Sequence, residues 1–554
     1  MSLLTVENLS VVYEPRGSLP TKAVRNVSLR LEQGEFVGIV GESGSGKSTL
    51  GFAITRLLRN PARIESGKII FDGKDIAGMT REQLREQRQG GFAMVLQAGM
   101  NALNPVRTIG KHFDDIFRAH GHIDRKDFAA RAAELVQKVR LDPQVLGSYP
   151  GELSGGMRQR VAISLALALE PRLMIFDEPT TALDVLVQHA VMDTIQELQR
   201  SENFTAILIS HDVGLVMEAT ERILVMHEGE IVEDSPSHTI ATHPKDAYTR
   251  MLLSHYADPR QENIDLPGLS VHGERIYTHG TQHVAPQRDL GATEAFSVEH
   301  VTKVYPAPKR GEQQVHAVDD VSFVIQPGEA LALVGQSGSG KSTIAKMMTG
   351  VEKPSSGRIL FGASDVSTLN RRGLKELHRQ VQMVFQDPYA ALNPMHTVEY
   401  ILSRPLANYL GLRGDVAHQR VLELLDMVGL TPAEEYAAKL PHQLSGGQRQ
   451  RVVIARALAS NPQVIVADEP VSMLDVSLRA GVLGLIADLR EHYGVSVLYI
   501  THDLLSARMV TNTILVLHNG RVVERGSTHD VMQHPHDRYT KQLLDAIPHV
   551  STQA

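Results

Sequence analysis

The chain has 554 residues, of which 42% are hydrophobic and 21% charged, and its net charge at pH 7 is −7. That length allows several domains, and the slightly negative charge gives no sign of a nucleic-acid binder. The chain contains no cysteine, which excludes disulfide frameworks, thiolate zinc sites and cysteine-ligated iron–sulfur clusters.

The first residues, MSLLTVENLSVVY, alternate apolar and polar side chains as a β-strand does. They lack the charged and apolar regions of a signal peptide. Nowhere does the sequence approach the run of about 18 apolar residues that a transmembrane helix needs. The sequence therefore predicts a soluble, cytoplasmic protein.

The next elements enclose a glycine-rich loop. A short apolar run, EFVGIVG at 35–41, predicts a buried strand, and KSTLGFAITRLL at 47–58 has helical spacing. Between them lies GESGSGKST, the strand–loop–helix arrangement of a P-loop. The alternative is a Gly/Ser turn that happens to precede Lys-Ser, a rare coincidence that a second copy in the same chain makes much rarer.

Each position of this loop has a chemical reason. The glycines let backbone N–H groups converge on phosphate oxygens, and the helix that follows adds its positive N-terminal dipole. Lys47 would place its charge between the β- and γ-phosphates, and the Ser48 hydroxyl would face Mg²⁺. The candidate nucleotide-binding residues of this loop are Gly41, Ser43, Gly44, Gly46, Lys47, Ser48 and Thr49.

The tetrapeptide LSGG at 153–156 precedes the helical stretch MRQRVAISLALAL. Ser154, Gly155 and Gly156 would therefore lie at a helix N-terminus, where anions are favoured. The P-loop in the same half already accounts for the phosphates, however. A serine N-cap followed by two turn glycines is the alternative interpretation of a single copy.

An apolar run that ends in two acidic residues, RLMIFDEP at 172–179, predicts a further buried strand. Asp177 would help to hold the Mg²⁺ shell, and Glu178 would orient and deprotonate water beside the γ-phosphate. Alone, the pattern is equally consistent with an ordinary strand end. Its place about 130 residues after a P-loop favours the ATPase interpretation.

The remainder of this half adds a buried strand, TAILISHD at 205–212, and a hairpin, ERILVMHEGEIVE at 221–233. Apolar strands that alternate with helices predict an α/β fold whose parallel sheet is covered on both faces.

The stretch 254–293 is rich in Gly, Pro, Gln and His and lacks a sustained apolar period. It predicts a linker between domains at 1–253 and 294–554. Its four histidines leave a metal site open as an alternative, although irregular spacing and sparse carboxylates favour a solvated linker. These histidines are His255, His272, His279 and His283.

The features of the first half return in the second at a nearly fixed offset, 291 residues for the LSGG, acidic-strand and SHD/THD motifs. A period this long indicates two copies of a complete domain. The repeated P-loop residues are Gly335, Ser337, Gly338, Gly340, Lys341, Ser342 and Thr343. The other repeated positions are Ser445, Gly446, Gly447, Asp468 and Glu469.

P-loops, LSGG signatures and acidic strands in this order resemble the ATPases of ABC transporters over nearly the full chain. The resemblance implies two tandem P-loop NTPase domains, each with a mostly parallel core sheet, an antiparallel β subdomain and a helical signature subdomain. It also implies ATP and Mg²⁺ as cofactors. In this family two such domains pack head-to-tail, so that the LSGG of one closes on the P-loop of the other.

The resemblance assigns further residues to each site. Tyr13 and Tyr305 match the aromatic that stacks on adenine. Gln97 and Gln386 match the Q-loop glutamine that contacts Mg²⁺ and senses the membrane partner. The D-loop aspartates are Asp184 and Asp475, and the switch histidines that contact the γ-phosphate are His211 and His502.

Three stretches resemble the dipeptide/oligopeptide/nickel importer branch more closely: ALNP after each Q-loop glutamine, QDPYAALNP in the second half, and HPxxxYTxxLL at the end of each half. That branch implies two transmembrane permease subunits, an extracytoplasmic substrate-binding protein and a peripheral position on the cytoplasmic face of the membrane. The first choice of cargo is a di- or oligopeptide, followed by nickel or a metallophore, then glutathione or a sugar.

Two departures from the branch stand out. Its cysteine-rich tail is missing, and IDLPGL at 264–269 resembles a shortened remnant of it. QAGMNALNP replaces QDPYAALNP in the first half, so the two permease partners are expected to differ.

The competing class is soluble ABC ATPases that act on ribosomes or nucleic acid. The missing zinc-binding cysteines and the short linker count against it, and an exporter is a further alternative.

Overall fold

The computed structural model describes residues 2–15, 17, 19–80, 82–84, 90–96, 102–120, 124–181, 183–278, 293–306 and 314–547, with the backbone alone at 278, 476 and 477. These residues form two compact units, which divide between Tyr256 and Ala257. Each unit has its own sheets and its own apolar core.

The first unit contains two sheets. Its strands are β1 (Ser2–Tyr13), β2 (Thr21–Glu32), β3 (Phe36–Val40), β4 (Ala62–Phe71), β5 (Lys74–Asp75), β6 (Phe92–Val95), β7 (Leu173–Asp177), β8 (Thr205–Ile209), β9 (Arg222–His227) and β10 (Glu230–Pro236). The antiparallel sheet has the order β2-β1-β4-β5, and the core sheet has the order β10-β9-β3-β8-β7-β6. The core sheet is parallel except for β10, which forms a hairpin with β9.

Helices cover this core sheet. In chain order they are α1 (Lys47–Ile54), α2 (Ile109–His120), α3 (Phe128–Lys138), α4 (Gly155–Ala166), α5 (Val185–Glu202), α6 (Val213–Ala219), α7 (Ser237–Thr242) and α8 (Ala247–Leu253). Strands β3, β7 and β8 are buried at every position, as parallel strands covered on both faces must be. One face packs with the antiparallel sheet and α1, and the other packs with the longer helices.

The predicted strands and hairpin of the first half are confirmed, but the first helix is shorter than predicted. It ends at Ile54 rather than continuing to residue 58. Arg56 has a φ of 53°, in the left-handed region that stops a helix.

The second unit repeats this architecture. Its sheets have the orders β15-β14-β17-β18 and β19-β20-β21-β16-β22-β23. The strands are β14 (Phe296–Tyr305), β15 (Val315–Ile325), β16 (Ala330–Val334), β17 (Ser356–Phe361), β18 (Ser364–Asp365), β19 (Val381–Val384), β20 (Val464–Asp468), β21 (Ser496–Thr501), β22 (Thr513–His518) and β23 (Arg521–Ser527).

Helices also alternate with the core strands of the second unit. They are α9 (Lys341–Met348), α10 (Arg371–Gln380), α11 (Pro388–Ala391), α12 (Val398–Pro405), α13 (Gly414–Met427), α14 (Ala433–Ala438), α15 (Gly446–Leu458), α16 (Val476–Tyr493), α17 (Leu504–Val510), α18 (Thr528–Gln533) and α19 (Arg538–Asp545).

The range expected to be a linker contains a small folded sheet. Strands β11 (Asn263–Leu266), β12 (Leu269–His272) and β13 (Arg275–Thr278) pair antiparallel, joined by turns in which Gly268 and Gly273 have positive φ. Leu269 and Val271 are fully buried in the core of the second unit, and the sheet contacts α16 and α17. A solvated linker is therefore the wrong description of 263–278. Strands of four residues are too short to produce a clear period in the sequence.

The histidines of that range do not gather in the part that the structure describes. His255 is bonded through Nδ1 to the Met251 carbonyl at 2.8 Å, and the His272 ring is 3.6 Å from the Asp265 carboxylate. The other two, His279 and His283, lie outside the described residues. The predicted ends of the two domains, at residues 253 and 294, remain a proposal.

Candidate nucleotide-binding sites

The first glycine-rich loop lies at the carboxyl end of β3, where ligands of parallel α/β sheets bind. Gly41 and Gly46 have φ values of 147° and 100°. A Cβ on either would lie 2.2 Å from a backbone oxygen, that of Met226 or Ala23. Only glycine fits there, which explains why the loop can curl tightly before α1.

The Lys47 side chain is buried, with an exposed fraction of 4%, and is held by the loop itself. Its ammonium group donates to the carbonyl oxygens of Gly41 and Glu42, both at 2.7 Å. Lys341 does the same in the second unit, donating to Gly335 at 2.6 Å and Gln336 at 2.8 Å. The charge therefore lies inside a loop of the geometry that cradles phosphate.

The serine after each lysine faces the acidic end of a core strand. The Ser48 hydroxyl donates to Asp177 at 2.8 Å, and the Ser342 hydroxyl donates to Asp468 at 3.4 Å. Burial raises the pKa of Asp177 to about 6, although the hydrogen bond from Ser48 opposes the shift. Burial likewise raises the pKa of Asp468. A hydroxyl and a carboxylate brought together in this way form a donor set that suits Mg²⁺.

The glutamates that follow these aspartates have a constrained backbone. Glu178 and Glu469 have φ values of 48° and 47°, which are uncommon for a residue with a side chain. Their N–H groups donate to the carbonyls of Ile209 and Ile500, both at 2.8 Å. The same strained geometry in both units is typical of functional sites.

The two switch histidines lie beside these glutamates. His211 Nδ1 is 3.3 Å from a carboxylate oxygen of Glu178, and His502 Nδ1 is 3.1 Å from one of Glu469. Burial alone would raise the pKa of Glu178, but His211, Thr181 and Lys47 together outweigh it, and the pKa is lowered. In the second unit His502 and Lys341 together outweigh burial and lower the pKa of Glu469. Both carboxylates are therefore ionised at neutral pH.

One carboxylate oxygen of each glutamate faces the histidine. The other oxygen accepts a hydrogen bond from a residue that differs between the two units. The Thr181 hydroxyl donates to Glu178 at 2.9 Å, and the Gln386 amide donates to Glu469, also at 2.9 Å. The Q-loop glutamine of the second unit thus reaches the acidic strand end. Its counterpart Gln97 lies outside the described residues.

Each LSGG serine caps the helix that follows it. Ser154 Oγ accepts from the N–H of Met157, and Ser445 Oγ accepts from that of Gln448, both at 3.3 Å. Gln448 also accepts from the Ser445 N–H at 3.0 Å, which completes a capping box that Met157 cannot make. Gly156 packs so closely that a Cβ there would lie 2.4 Å from Val187.

The remaining predicted residues lie at the ends of secondary-structure elements. The Asp184 carboxylate caps α5 by accepting from the Val187 N–H at 3.1 Å, and Asp475 stands at the matching position before α16. Tyr13 ends β1, with its hydroxyl 3.3 Å from that of Thr49. Tyr305 ends β14 and bonds to the Glu352 carboxylate. Tyr13 thus borders α1, and Tyr305 contacts the segment that follows α9.

Comparison with known proteins agrees with this geometry. The family model described as "ABC transporter" matches residues 24–181 and 318–472, which is more than half of the chain. The chain belongs to the ABC transporter family. A second model, "Oligopeptide/dipeptide transporter, C-terminal region", matches residues 523–554. The chain is therefore an ABC ATPase of the peptide/nickel branch, and it hydrolyses ATP in an activity coupled to transport.

Curated relatives match this ABC ATPase along its whole length. It is 39% identical to "Glutathione import ATP-binding protein GsiA" of Pectobacterium atrosepticum over 99% of this chain and 89% of the relative. The proteins of that name from Salmonella choleraesuis and Escherichia coli O157:H7 are 37% and 38% identical over 99% of this chain. Among solved structures, a dimeric post-hydrolysis state of the cassette MJ0796 with ADP and Pi covers 42% of this chain at 35% identity and a TM-score of 0.38.

Within each unit the ABC ATPase brings together the predicted P-loop lysine and serine, the acidic strand end and, beside that strand end, the switch histidine. Sequence reasoning missed Thr181 on the first glutamate. It also missed Tyr248 and Tyr539, which bond to the two P-loops. The signal in the sequence for the tyrosines is their recurrence in HPxxxYT, a pattern that also resembles the importer branch.

Proposed function

We propose that this chain is the ATP-hydrolysing subunit of an importer for short peptides, including glutathione. It would drive two separate permease subunits from the cytoplasmic face of the membrane, with cargo delivered by an extracytoplasmic substrate-binding protein. The relatives named for glutathione import and the match to the oligopeptide/dipeptide region support this proposal. In the part of the chain that the structure describes, no helix is long and apolar enough to cross a bilayer.

We expect the chain to co-purify with permease subunits in mild detergent and to support uptake of a labelled dipeptide or glutathione. The cargo class is tested in membrane vesicles that hold the chain, its permeases and its substrate-binding protein. The matched control carries Lys47→Ala and Lys341→Ala, which should assemble but not transport. Uptake of nickel without peptide would refute the peptide assignment. Association with ribosomes in place of membrane proteins would refute the importer.

We propose the following roles for the site residues. Glu178 and Glu469 act as general bases on the attacking water, and His211 and His502 contact the γ-phosphate. Mg²⁺ would be held by Ser48, Asp177 and Gln97 in one site and by Ser342, Asp468 and Gln386 in the other, where it would neutralise phosphate charge. The close approach of Ser48 to Asp177 supports this donor set.

We further propose that the two halves complete each other's sites, with Ser154 serving the P-loop of Lys341 and Ser445 serving that of Lys47. Each LSGG lies at a helix N-terminus, an anion-binding position, in a half whose own P-loop already provides for the phosphates. Fusion of the halves would then hold both pairings at a high effective concentration.

Cysteine cross-linking tests this pairing without background, because the chain has no cysteine of its own. We expect Ser154→Cys to cross-link with Ser337→Cys when ATP is bound in a variant that cannot hydrolyse it. The matched pair, Ser154→Cys with Ser43→Cys, places the second thiol at the same loop position of its own half. A cross-link in that matched pair and none in the first would refute pairing across the halves.

A further inference from the structure

A tyrosine at the end of each unit touches a P-loop through its hydroxyl group. The Tyr248 hydroxyl accepts from the Glu42 N–H at 2.9 Å, and the Tyr539 hydroxyl accepts from the Gln336 N–H at 2.8 Å. Both tyrosines are buried, with exposed fractions of 8% and 6%. The contact connects loop residues with residues more than 200 positions later, and it occurs independently in each unit.

The tyrosine and the P-loop lysine hold the same peptide group. Between Gly41 and Glu42, the carbonyl accepts from Lys47 at 2.7 Å while the N–H donates to Tyr248. The peptide group between Gly335 and Gln336 is held in the same way by Lys341 and Tyr539. When ATP binds, the lysine ammonium is needed at the β- and γ-phosphates. The tyrosine hydroxyl is then the contact that keeps this peptide group in its orientation.

The ring of each tyrosine is held in place by a histidine at the end of a core strand earlier in the same unit, β9 or β22. The ring stacks on His227 in the first unit, with centroids 3.8 Å apart, and on His518 in the second, at 3.9 Å. His227 follows Met226, whose carbonyl oxygen lies against Gly41. In the second unit the carbonyl of Leu517, before His518, lies against Gly335. The stack therefore stands directly beside the first glycine of each loop.

Hydrogen bonds fix the start of the helix that carries the tyrosine. Asp246 accepts from the Tyr248 N–H at 2.7 Å, and buried Glu233 on β10 accepts from the N–H groups of Lys245 and Asp246. The second unit repeats both steps. There Asp537 accepts from the Tyr539 N–H at 2.7 Å, and Glu524 on β23 accepts from those of His536 and Asp537. These bonds give the Asp of HPKDAYT and HPHDRYT a structural role, because it caps the helix that presents the tyrosine to the loop.

We infer that Tyr248 and Tyr539 are positioning residues for ATP binding, each of which orients the P-loop of its own unit through one hydroxyl group. This role concerns how the chain binds ATP, and it holds whichever cargo the importer carries. Loss of the hydroxyl leaves a loop N–H without its partner while the ring and its histidine stack remain. The effect should therefore appear in nucleotide affinity and not in the chemical step.

The test uses the full chain with one site silenced, so that each tyrosine is measured alone. Tyr248→Phe is combined with Lys341→Ala, and Tyr539→Phe with Lys47→Ala. We expect each Phe change to weaken binding of the Mg²⁺ complex of a non-hydrolysable ATP analogue about five-fold relative to the matching lysine variant, equivalent to about 1 kcal/mol at 1.4 kcal/mol per tenfold. In the chain with both lysines intact, Tyr248→Phe should raise KM for ATP and leave kcat within about two-fold.

Two further variants separate positioning from packing. Tyr277→Phe makes the same chemical change on the partly exposed strand β13 and should leave affinity unchanged. Tyr248→Leu removes the ring as well, and it should lower the thermal unfolding temperature by more than Tyr248→Phe does. Wild-type affinity in both Phe variants would overturn the inference, as would a fall in kcat with KM unchanged. If the wild-type chain itself bound no ATP, the ATPase assignment would fail instead.

Discussion

Replacing both Lys47 and Lys341 with alanine should lower the rate of ATP hydrolysis by at least about a hundredfold. Each ammonium group is buried in its loop, and it is the charge available there to meet the phosphates. Removal of one preorganised donor from a developing charge typically costs about 10²–10³ in rate. The two loops have the same lysine contacts, so both sites should fail together.

The measurement is steady-state phosphate release from purified protein, with binding of an ATP analogue measured in parallel. The matched control is Lys74→Ala with Lys375→Ala, which removes two exposed lysines, one from each half, and should leave turnover unchanged. Turnover of the Lys47/Lys341 variant within two-fold of wild type would refute the assignment of these loops as the ATP sites.

Local sequence predicted the parts of the fold that short-range physics determines. The runs FVGIV, LMIF and AILI are apolar throughout because β3, β7 and β8 are buried on both faces. The P-loop was equally clear, because Gly41 and Gly46 occupy backbone conformations that only glycine tolerates beside neighbouring carbonyls.

Contacts between residues distant in the sequence could not be predicted in this way. The hydrogen bond from Glu42 to Tyr248 spans 206 positions, and nothing in HPKDAYT indicates which surface its tyrosine meets. The sheet at 263–278 was missed for a related reason. Its four-residue strands are stabilised by burial of Leu269 and Val271 against helices far along the chain, not by a pattern of their own.

The asymmetry between the two sites is visible in the sequence as Met157 against Gln448, and the structure shows its physical basis. Gln448 completes a capping box with Ser445, and the matching Met157 cannot. A lost hydrogen bond of this kind is typically worth about 1 kcal/mol, so it should tune the site that uses Ser154 without silencing it. The P-loop lysine, the glutamate and the histidine are present in both units, and their geometry is nearly the same.

Glu178→Gln and Glu469→Gln should therefore each depress hydrolysis strongly while ATP binding is retained. Each glutamate has the same positive φ, an adjacent histidine and a lowered pKa that keeps it ionised as a base. Glutamine preserves the size of the side chain but cannot take a proton from water, and loss of a general base typically costs about 10²–10⁴ in rate. If both sites turn over, the double variant should show that full loss.

The single variants distinguish two working sites from one. Because the halves are expected to close together, each single change should remove more than half of the turnover measured by phosphate release. Glu230→Gln, the same change at an exposed position, is the control and should have no effect. Turnover near wild type in either single variant would mean that its site is regulatory. The two sites would then differ in function despite the matching positions of their glutamates and histidines.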